Sequence, residues 1–488
     1  MKNVFASALL NEGNKTKTTN GDLAYLTTQS SLLDLYSSIG SARDMDISDK
    51  HFMFEYAFGE DPLLATKMLF FIRDVRGGMG ERKTFRELLS YVANYHPDIL
   101  IKNLELISEF GRWDDLFELF NTPVQNAMLD LVTNQLIKDL KTKEGESISL
   151  LAKWAPSNNT SSVETIKRAY LIQKHLGITP REYRKMLSTL RKRLNVVETK
   201  MSANKWDTIE YASVCSRSHM IYRKAFRKHD ESRYSEYMED VKSGKANIHS
   251  SGVMPYEIIH KLTGNKSNDS ILELQWNNMP SFADGYKALA IADVSASMGF
   301  NLPKTTATAL DVSIAMSIYL AQKNNGPFKD IVLTFSDKPA IVDISKGTLH
   351  QKYEKVYGSN WSGSTNIEAA FNKILDIAVK NKVPQDDMID TLFIFSDMQF
   401  NQCANGSSVS NYTNAKQKFE AAGYKLPKVI FWNLNGNPKN FPVTKEETNT
   451  VLISGFSAEL FKFVTKGETP YESMIAALNN DRYSSIKI

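Results

Sequence analysis

The feature that most constrains this chain is the apolar run Ala288-Leu289-Ala290-Ile291-Ala292, which delivers Asp293-Val294-Ser295-Ala296-Ser297 and turns away at Met298-Gly299. The run reads as a buried strand, and the polar stretch presents one carboxylate and two hydroxyls at its carboxyl end. Hard oxygens in such a place suit a small oxygen-seeking divalent cation, Mg²⁺ before Zn²⁺, because no His or Cys lies nearby.

The later sequence supplies the rest of such a site in order. Ser362-Gly363-Ser364-Thr365-Asn366 forms a small-residue loop before the amphipathic helix starting Ile367-Glu368-Ala369-Ala370-Phe371, and the strand Thr391-Leu392-Phe393-Ile394-Phe395 runs into Ser396-Asp397. Open parallel sheets bind ligands outside the carboxyl ends of their strands at the topological switch point, so three loops from neighbouring strands can meet around one ion. The competing reading is that Asp293 and the serines only cap a helix and satisfy backbone groups.

This D-x-S-x-S, T, D pattern resembles the metal-ion-dependent adhesion site of von Willebrand factor A domains, and the resemblance covers about residues 285–488. Its other elements are the helix Thr305 to Lys323, the strand Ile331 to Phe335, the hairpin signal Ser336-Asp337-Lys338-Pro339, the strands Lys428 to Trp432 and Thr450 to Ile453, and the helix Ser457 to Val464. Strands alternating with helical patterns at this spacing argue for a parallel sheet covered on both faces. By that resemblance Ser295 and Ser297 ligate Mg²⁺ directly, Asp293 and Asp397 act mostly through water, and Thr365 joins or leaves with the ligand's state. A partner's carboxylate or a phosphate oxygen then completes the octahedron.

At 488 residues the chain exceeds one ordinary domain. No apolar run approaches the roughly 18 residues needed to cross a bilayer. The start, Met1 to Leu10, is followed by Asn11-Glu12-Gly13-Asn14-Lys15 without a signal-cleavage context, so the expectation is a cytoplasmic protein. Cys215 and Cys403 are the only cysteines, which excludes a disulfide framework, and with eight scattered His a structural zinc site is not expected either.

Residues 1–282 read differently from 283–488. Apolar residues recur at helical spacing through Asp61 to Arg73, Thr84 to Tyr95, Pro97 to Phe110 and Val124 to Leu140, with Pro and Gly at the junctions. Stacked helical hairpins are predicted, without a strict period that would name a repeat.

Charge gives a second functional hint. Residues 166–233 hold 17 Lys and Arg against 6 Asp and Glu, in a chain whose net charge is +4. Arg181, Arg184, Lys185, Arg191, Lys192 and Arg193 fall in one helical span, and Arg223, Lys224, Arg227 and Lys228 follow at helix-face spacing. Tyr170, Tyr183, Trp206, Tyr211, Tyr222 and Phe226 interleave with them and could stack on unpaired bases, although such aromatics more often build core. A clustered basic face is the electrostatic footprint of phosphate binding, and it also occurs on inert, solvated helices.

The stretches Arg73-Asp74-Val75-Arg76-Gly77-Gly78-Met79-Gly80-Glu81-Arg82, Gly111-Arg112-Trp113-Asp114-Asp115-Leu116 and Leu150-Leu151-Ala152-Lys153-Trp154-Ala155-Pro156-Ser157 resemble a family of uncharacterised proteins related to the Ro autoantigen. Ro proteins join a TROVE module of HEAT-like helical repeats, closed into a ring, to a C-terminal von Willebrand A domain. The resemblance implies an α plus α/β chain: an N-terminal HEAT-like helical-repeat module over 1–282 and a doubly wound parallel-sheet domain over 283–488. It also implies an RNA partner, a small non-coding or misfolded RNA.

Glycines 77, 78 and 80 do not make a phosphate loop, since the G-x-x-x-x-G-K-[ST] spacing is missing and a helix precedes them. They are expected to turn the chain between helices, with Arg73, Asp74, Arg76, Glu81 and Arg82 pairing among themselves or with a neighbouring helix. The Gly111 to Asp115 turn reads likewise as a helix junction. An enzyme is not expected, because no His lies in the three metal loops and neither cysteine shares a motif with a histidine. A protein-interaction scaffold that captures a partner carboxylate at the metal site is the alternative function, with a metal-dependent nuclease or phosphatase behind it.

Overall fold

The first strands among the described residues, β1 (Lys15–Lys17) and β2 (Leu23–Tyr25), pair as a short antiparallel hairpin. The computed structural model describes residues 12–250, 252–264, 269–283, 285, 287–303, 305–335, 337–359, 364–404, 409–464 and 466–488. The apolar runs then fold as one six-stranded sheet: β3 (Ala288–Asp293), β4 (Ile331–Phe335), β5 (Ile341–Asp343), β6 (Thr391–Ser396), β7 (Lys428–Asn433) and β8 (Thr450–Ser454). The spatial order is β5-β4-β3-β6-β7-β8, parallel except for the edge strand β5. β3 and β6 bury every residue, which is why they read as continuous apolar runs rather than alternating ones.

The predicted hairpin at 336–339 is the β4–β5 connection, closed by Thr334 N donating to Ala340 O at 2.9 Å; Ser336 itself lies outside the described residues. The helix expected from Thr305 begins instead at Ala309, because Thr308 and Asp311 form a capping box that satisfies its first amides. From Ala309 to Ala321 this helix is buried all round, and Ser313 Oγ donates to Phe395 O at 3.0 Å. The expected helix from Ser457 to Val464 is a 3₁₀ segment, Ala458–Lys462, capped by Ser457.

The chain packs as two compact units, residues 1–84 with 250–484, and residues 85–249 with 485–488. This division differs from a single cut after 282. The reason is that the helix Ser31–Ile39 buries seven of its nine residues, and its end is keyed to the sheet by Ser454. Gly40 N donates to Ser454 Oγ at 2.9 Å and Ser454 Oγ donates to Tyr36 O at 2.9 Å. A Cβ on Gly40 would lie 2.4 Å from Ser454 O, so only glycine permits this approach.

The Gly77 to Gly80 segment turns the chain as expected, and the two carboxylates beside it, Asp74 and Glu81, pair with distant segments of the same unit. Glu81 accepts from Arg43 Nη2 at 2.6 Å, while Asp74 accepts from Arg482 and from the Tyr483 hydroxyl at 3.0 Å. A Cβ on Gly78 would sit 2.1 Å from Phe71 O.

The second unit is helical. Its helices include Pro97–Lys102, Leu106–Phe110, Gln125–Lys141, Val163–Leu176, Pro180–Leu194, Ser216–His229 and Glu231–Lys242. The Gly111 to Asp115 turn is a junction into the 3₁₀ helix Trp113–Leu119, where Arg86 gathers Asp114, Asp115 and Glu118 within 3.0 Å and the Arg112 guanidinium stacks 4.1 Å over the Trp154 ring. The chain is thus α plus α/β.

Candidate metal centre

β3 and β6 are parallel neighbours, and the chain leaves β3 toward β4 but leaves β6 toward β7, so the sheet's switch point lies between them. Asp293 ends β3 and Asp397 follows the last residue of β6, which places both carboxylates at that point. Both are buried, as is Ser295, while Ser297 is exposed.

Hydrogen bonds bind four of the five expected residues into one cluster. Ser295 N donates to Asp293 Oδ1 at 3.0 Å, the Ser295 and Ser297 hydroxyls are 2.9 Å apart, and the Ser297 hydroxyl bonds the Asp397 carboxylate. Ser396 adds a donor that the motif does not contain, giving its proton to Asp293 Oδ2 at 2.6 Å. Burial, then the nearby Asp397 charge, push the Asp293 carboxyl up to about 7, and burial raises Asp397 as well. Among the described residues neither forms an ion pair. Two buried carboxylates that repel each other without a cationic side chain are an arrangement that a divalent ion would neutralise.

Thr365 stands apart from these four. It is buried, but its hydroxyl lies 2.7 Å from Gln399 O and 2.8 Å from Asn401 Oδ1, and it accepts from Asn20 Nδ2 at 2.8 Å. Asn366, not Thr365, caps the helix Ile367–Asn381. The loop residues Ser362 and Gly363 lie outside the described residues.

The donor set is two carboxylates plus hydroxyls. Among the described residues no group of three or more His, Cys, Asp or Glu could hold a metal, so any ion here depends on serine oxygens for part of its shell. Such an all-oxygen set fits Mg²⁺ and excludes a zinc-type site of sulfur and imidazole.

The basic residues of the second unit divide sharply. In the helix Pro180–Leu194, Arg181, Arg184, Lys185 and Lys192 are exposed along one face. Arg191 is not part of that face: it donates to Ala152 O at 2.8 Å, to Ala155 O at 2.9 Å and to the Ser157 hydroxyl at 2.9 Å, closing the end of the short helix Leu151–Trp154. Arg193 donates to Asp139 O at 2.8 Å and Lys143 O at 2.9 Å. Arg223 is buried, whereas Lys224, Arg227 and Lys228 are exposed.

Three of the cationic residues expected to face RNA are therefore built into the helical packing, because a guanidinium can satisfy several orphan carbonyls at helix ends at once. Of the interleaved aromatics, Tyr183, Tyr211 and Phe226 are core, Trp206 stacks on His229 with ring centroids 4.4 Å apart, Tyr222 is half-buried, and Tyr170 is 60% exposed.

Fold and site define a chain in which a helical unit accompanies a doubly wound α/β unit with a buried carboxylate pair and serine hydroxyls at its switch point. The family described as Domain of unknown function (DUF2828) matches residues 18–139 and 162–281, and that described as Domain of unknown function (DUF7788) matches residues 287–484. Uncharacterized protein L728 of Acanthamoeba polyphaga mimivirus is 32% identical over 493 residues, covering 92% of this chain and 84% of that protein. The chain belongs to the family of that protein. The crystal structure of Deinococcus radiodurans RO (RSR) protein is similar over 93% of this chain and 99% of that one, at 15% identity and a TM-score of 0.39, an overlap too loose to transfer residues or function. Among the described residues no helix is long and apolar enough to cross a membrane.

Proposed function

We propose that this is a non-catalytic RNA-binding protein whose helical unit meets RNA on the exposed face of Arg181, Arg184, Lys185 and Lys192, and whose α/β unit carries a Mg²⁺-dependent adhesion site of the von Willebrand A kind. The observation that carries the RNA reading is that cationic face. Its four side chains project from a single rigid helix, and among the described residues none of them is in an ion pair, so their charge remains available to phosphates. Exposed Lys224, Arg227 and Lys228 add charge on a second helix, and exposed Tyr170 offers a ring on which a base can stack.

The metal reading is supported by the Asp293, Ser295, Ser297 and Asp397 cluster. Bound there, Mg²⁺ supplies an electrophilic position for an anionic oxygen of a partner. The two serines are engaged with each other and with the carboxylate side of the cluster, and no imidazole joins them in these contacts, which favours adhesion over hydrolysis. The second reading, a scaffold that captures a partner carboxylate, is favoured by Ser297, the exposed member of the cluster.

Salt and chelator titrations of RNA binding separate the two readings. A protein neutralising several phosphates weakens steeply with salt and is insensitive to EDTA, whereas a carboxylate held by the ion is lost with EDTA. Binding of neither single-stranded nor structured RNA at low salt would leave only the scaffold reading.

A further inference from the structure

The turn between β1 and β2, Thr18 to Asp22, lies on the loops that hold Thr365 and follow Asp397. Thr18 Oγ1 donates to Phe400 O at 2.6 Å and Thr19 N donates to Gln399 Oε1 at 2.9 Å. Asn20 Nδ2 donates both to Gln399 O at 2.6 Å and to Thr365 Oγ1 at 2.8 Å, while Gln402 N returns a bond to Asn20 O at 3.1 Å. Asn411 N donates to Asp22 Oδ1 at 3.2 Å, and Gly21 takes a φ of 93° that lets the turn close.

A threonine hydroxyl has one proton and two lone pairs. Here the proton goes to Gln399 O or Asn401 Oδ1, and Asn20 occupies one lone pair. The side chain is buried, so any movement of Oγ1 toward another partner breaks bonds to two segments at once. Ser297 is exposed, and its hydroxyl stays within the carboxylate cluster, 2.9 Å from the Ser295 hydroxyl.

We propose that the Thr18 to Asp22 turn is a latch on the metal site: Asn20 keeps the Thr365 hydroxyl on the Gln399–Asn401 loop, and recruitment of Thr365 to an ion that has taken a carboxylate releases Asn20. The latch rests on the metal-site reading above and adds to it the element that regulates the site. Because coupling between two sites is reciprocal, removing Asn20 tightens ion binding and filling the site loosens the turn.

The test is calorimetric titration of the full chain with MgCl₂ in excess acetate, comparing wild type, Asn20→Ala and Asn20→Ala with Thr365→Ala. One neutral hydrogen bond of this kind corresponds to a roughly two- to tenfold change in affinity, so Asn20→Ala binds Mg²⁺ tighter by that factor and the gain disappears in the double variant. Hydrogen exchange on wild type provides the readout that needs no variant: the amides of Thr19 and Gln402 exchange faster when MgCl₂ and acetate are both present. Equal or weaker Mg²⁺ binding by Asn20→Ala, or unchanged exchange in wild type that does bind Mg²⁺, overturns the latch and leaves the metal site standing. No Mg²⁺ uptake by wild type overturns both.

Discussion

Ser396 Oγ donates a 2.6 Å hydrogen bond to Asp293 Oδ2, joining two strands whose bonded residues are 103 positions apart. The same oxygen accepts from Met398 N at 3.1 Å, and Met398 sits at a φ of 63°, a left-handed conformation that a non-glycine residue adopts only under restraint. One hydroxyl therefore orients the first carboxylate and steadies the backbone around the second. Ser396→Ala is expected to cost about 1–3 kcal/mol in urea unfolding and to weaken Mg²⁺ binding; unchanged stability would show that Asp293 needs no such donor.

The carboxylate pair yields a prediction with opposite signs in two buffers. In EDTA, Asp397→Asn removes like-charge repulsion and is at least as stable as wild type; in Mg²⁺ only wild type gains stability. At a hundredfold excess over the dissociation constant that gain is about 2.7 kcal/mol. Asp293→Ala and Asp397→Ala should both abolish Mg²⁺ uptake and leave RNA affinity intact. Calorimetry showing normal uptake in both variants removes the site.

For RNA, Arg181, Arg184, Lys185 and Lys192 changed together to Ala should lower affinity and flatten the dependence on salt, by about 0.7 in log–log slope for each single-strand phosphate that the variant no longer neutralises. Thermal unfolding should be nearly unaltered, because all four side chains are exposed. Identical binding curves for variant and wild type would reduce this face to a solvated helix.

Arg191 is expected to behave in the opposite way. Its three bonds to Ala152 O, Ala155 O and Ser157 Oγ close the end of a helix, so Arg191→Ala should cost about 2–4 kcal/mol of stability, with any loss of RNA binding following unfolding. A stable variant with selectively weakened RNA binding would return Arg191 to the interface.

His219 packs against Tyr211, Phe226, Tyr234 and Tyr237, with Nε2 2.9 Å from Tyr211 O, and burial pushes its pKa down from 6.5 to about 4. The unfolded chain takes up this proton first as pH falls. Stability from the neutral ring is thus present above pH 6.5 and is lost as the pH drops toward 4, by on the order of 2 kcal/mol at pH 4.5. Urea unfolding at pH 7.5 and 4.5 should show this loss in wild type and less of it in His219→Phe; equal losses in both would assign it to other groups.

Strand positions were legible because each parallel strand is almost wholly buried and therefore mostly apolar, so β3, β4, β6, β7 and β8 appear within a residue of their observed limits. The D-x-S-x-S stretch was legible for a related reason: the carboxylate and hydroxyls follow directly where such a strand ends. Helix starts were less so, as with Thr308, because a capping box competes with the apolar period in deciding where the first turn begins. Charge clustering found the helix of Arg181 but could not separate Arg184 from Arg191. The two differ in which face of that helix they occupy and in whether helix ends with unbonded carbonyls lie against it.

The amino-acid sequence by itself determined the parallel strands, the α plus α/β class and the five oxygen-bearing residues at strand and loop ends, since these follow from local periodicity and side-chain chemistry. Only the tertiary structure decided that residues 12–84 pack with the sheet, that Arg191 and Arg193 are structural, and that Asn20 donates to Thr365 across 345 positions. Such pairings depend on burial and on hydrogen bonds between segments far apart in the chain, and a linear pattern carries no information about which distant group will satisfy a buried polar atom.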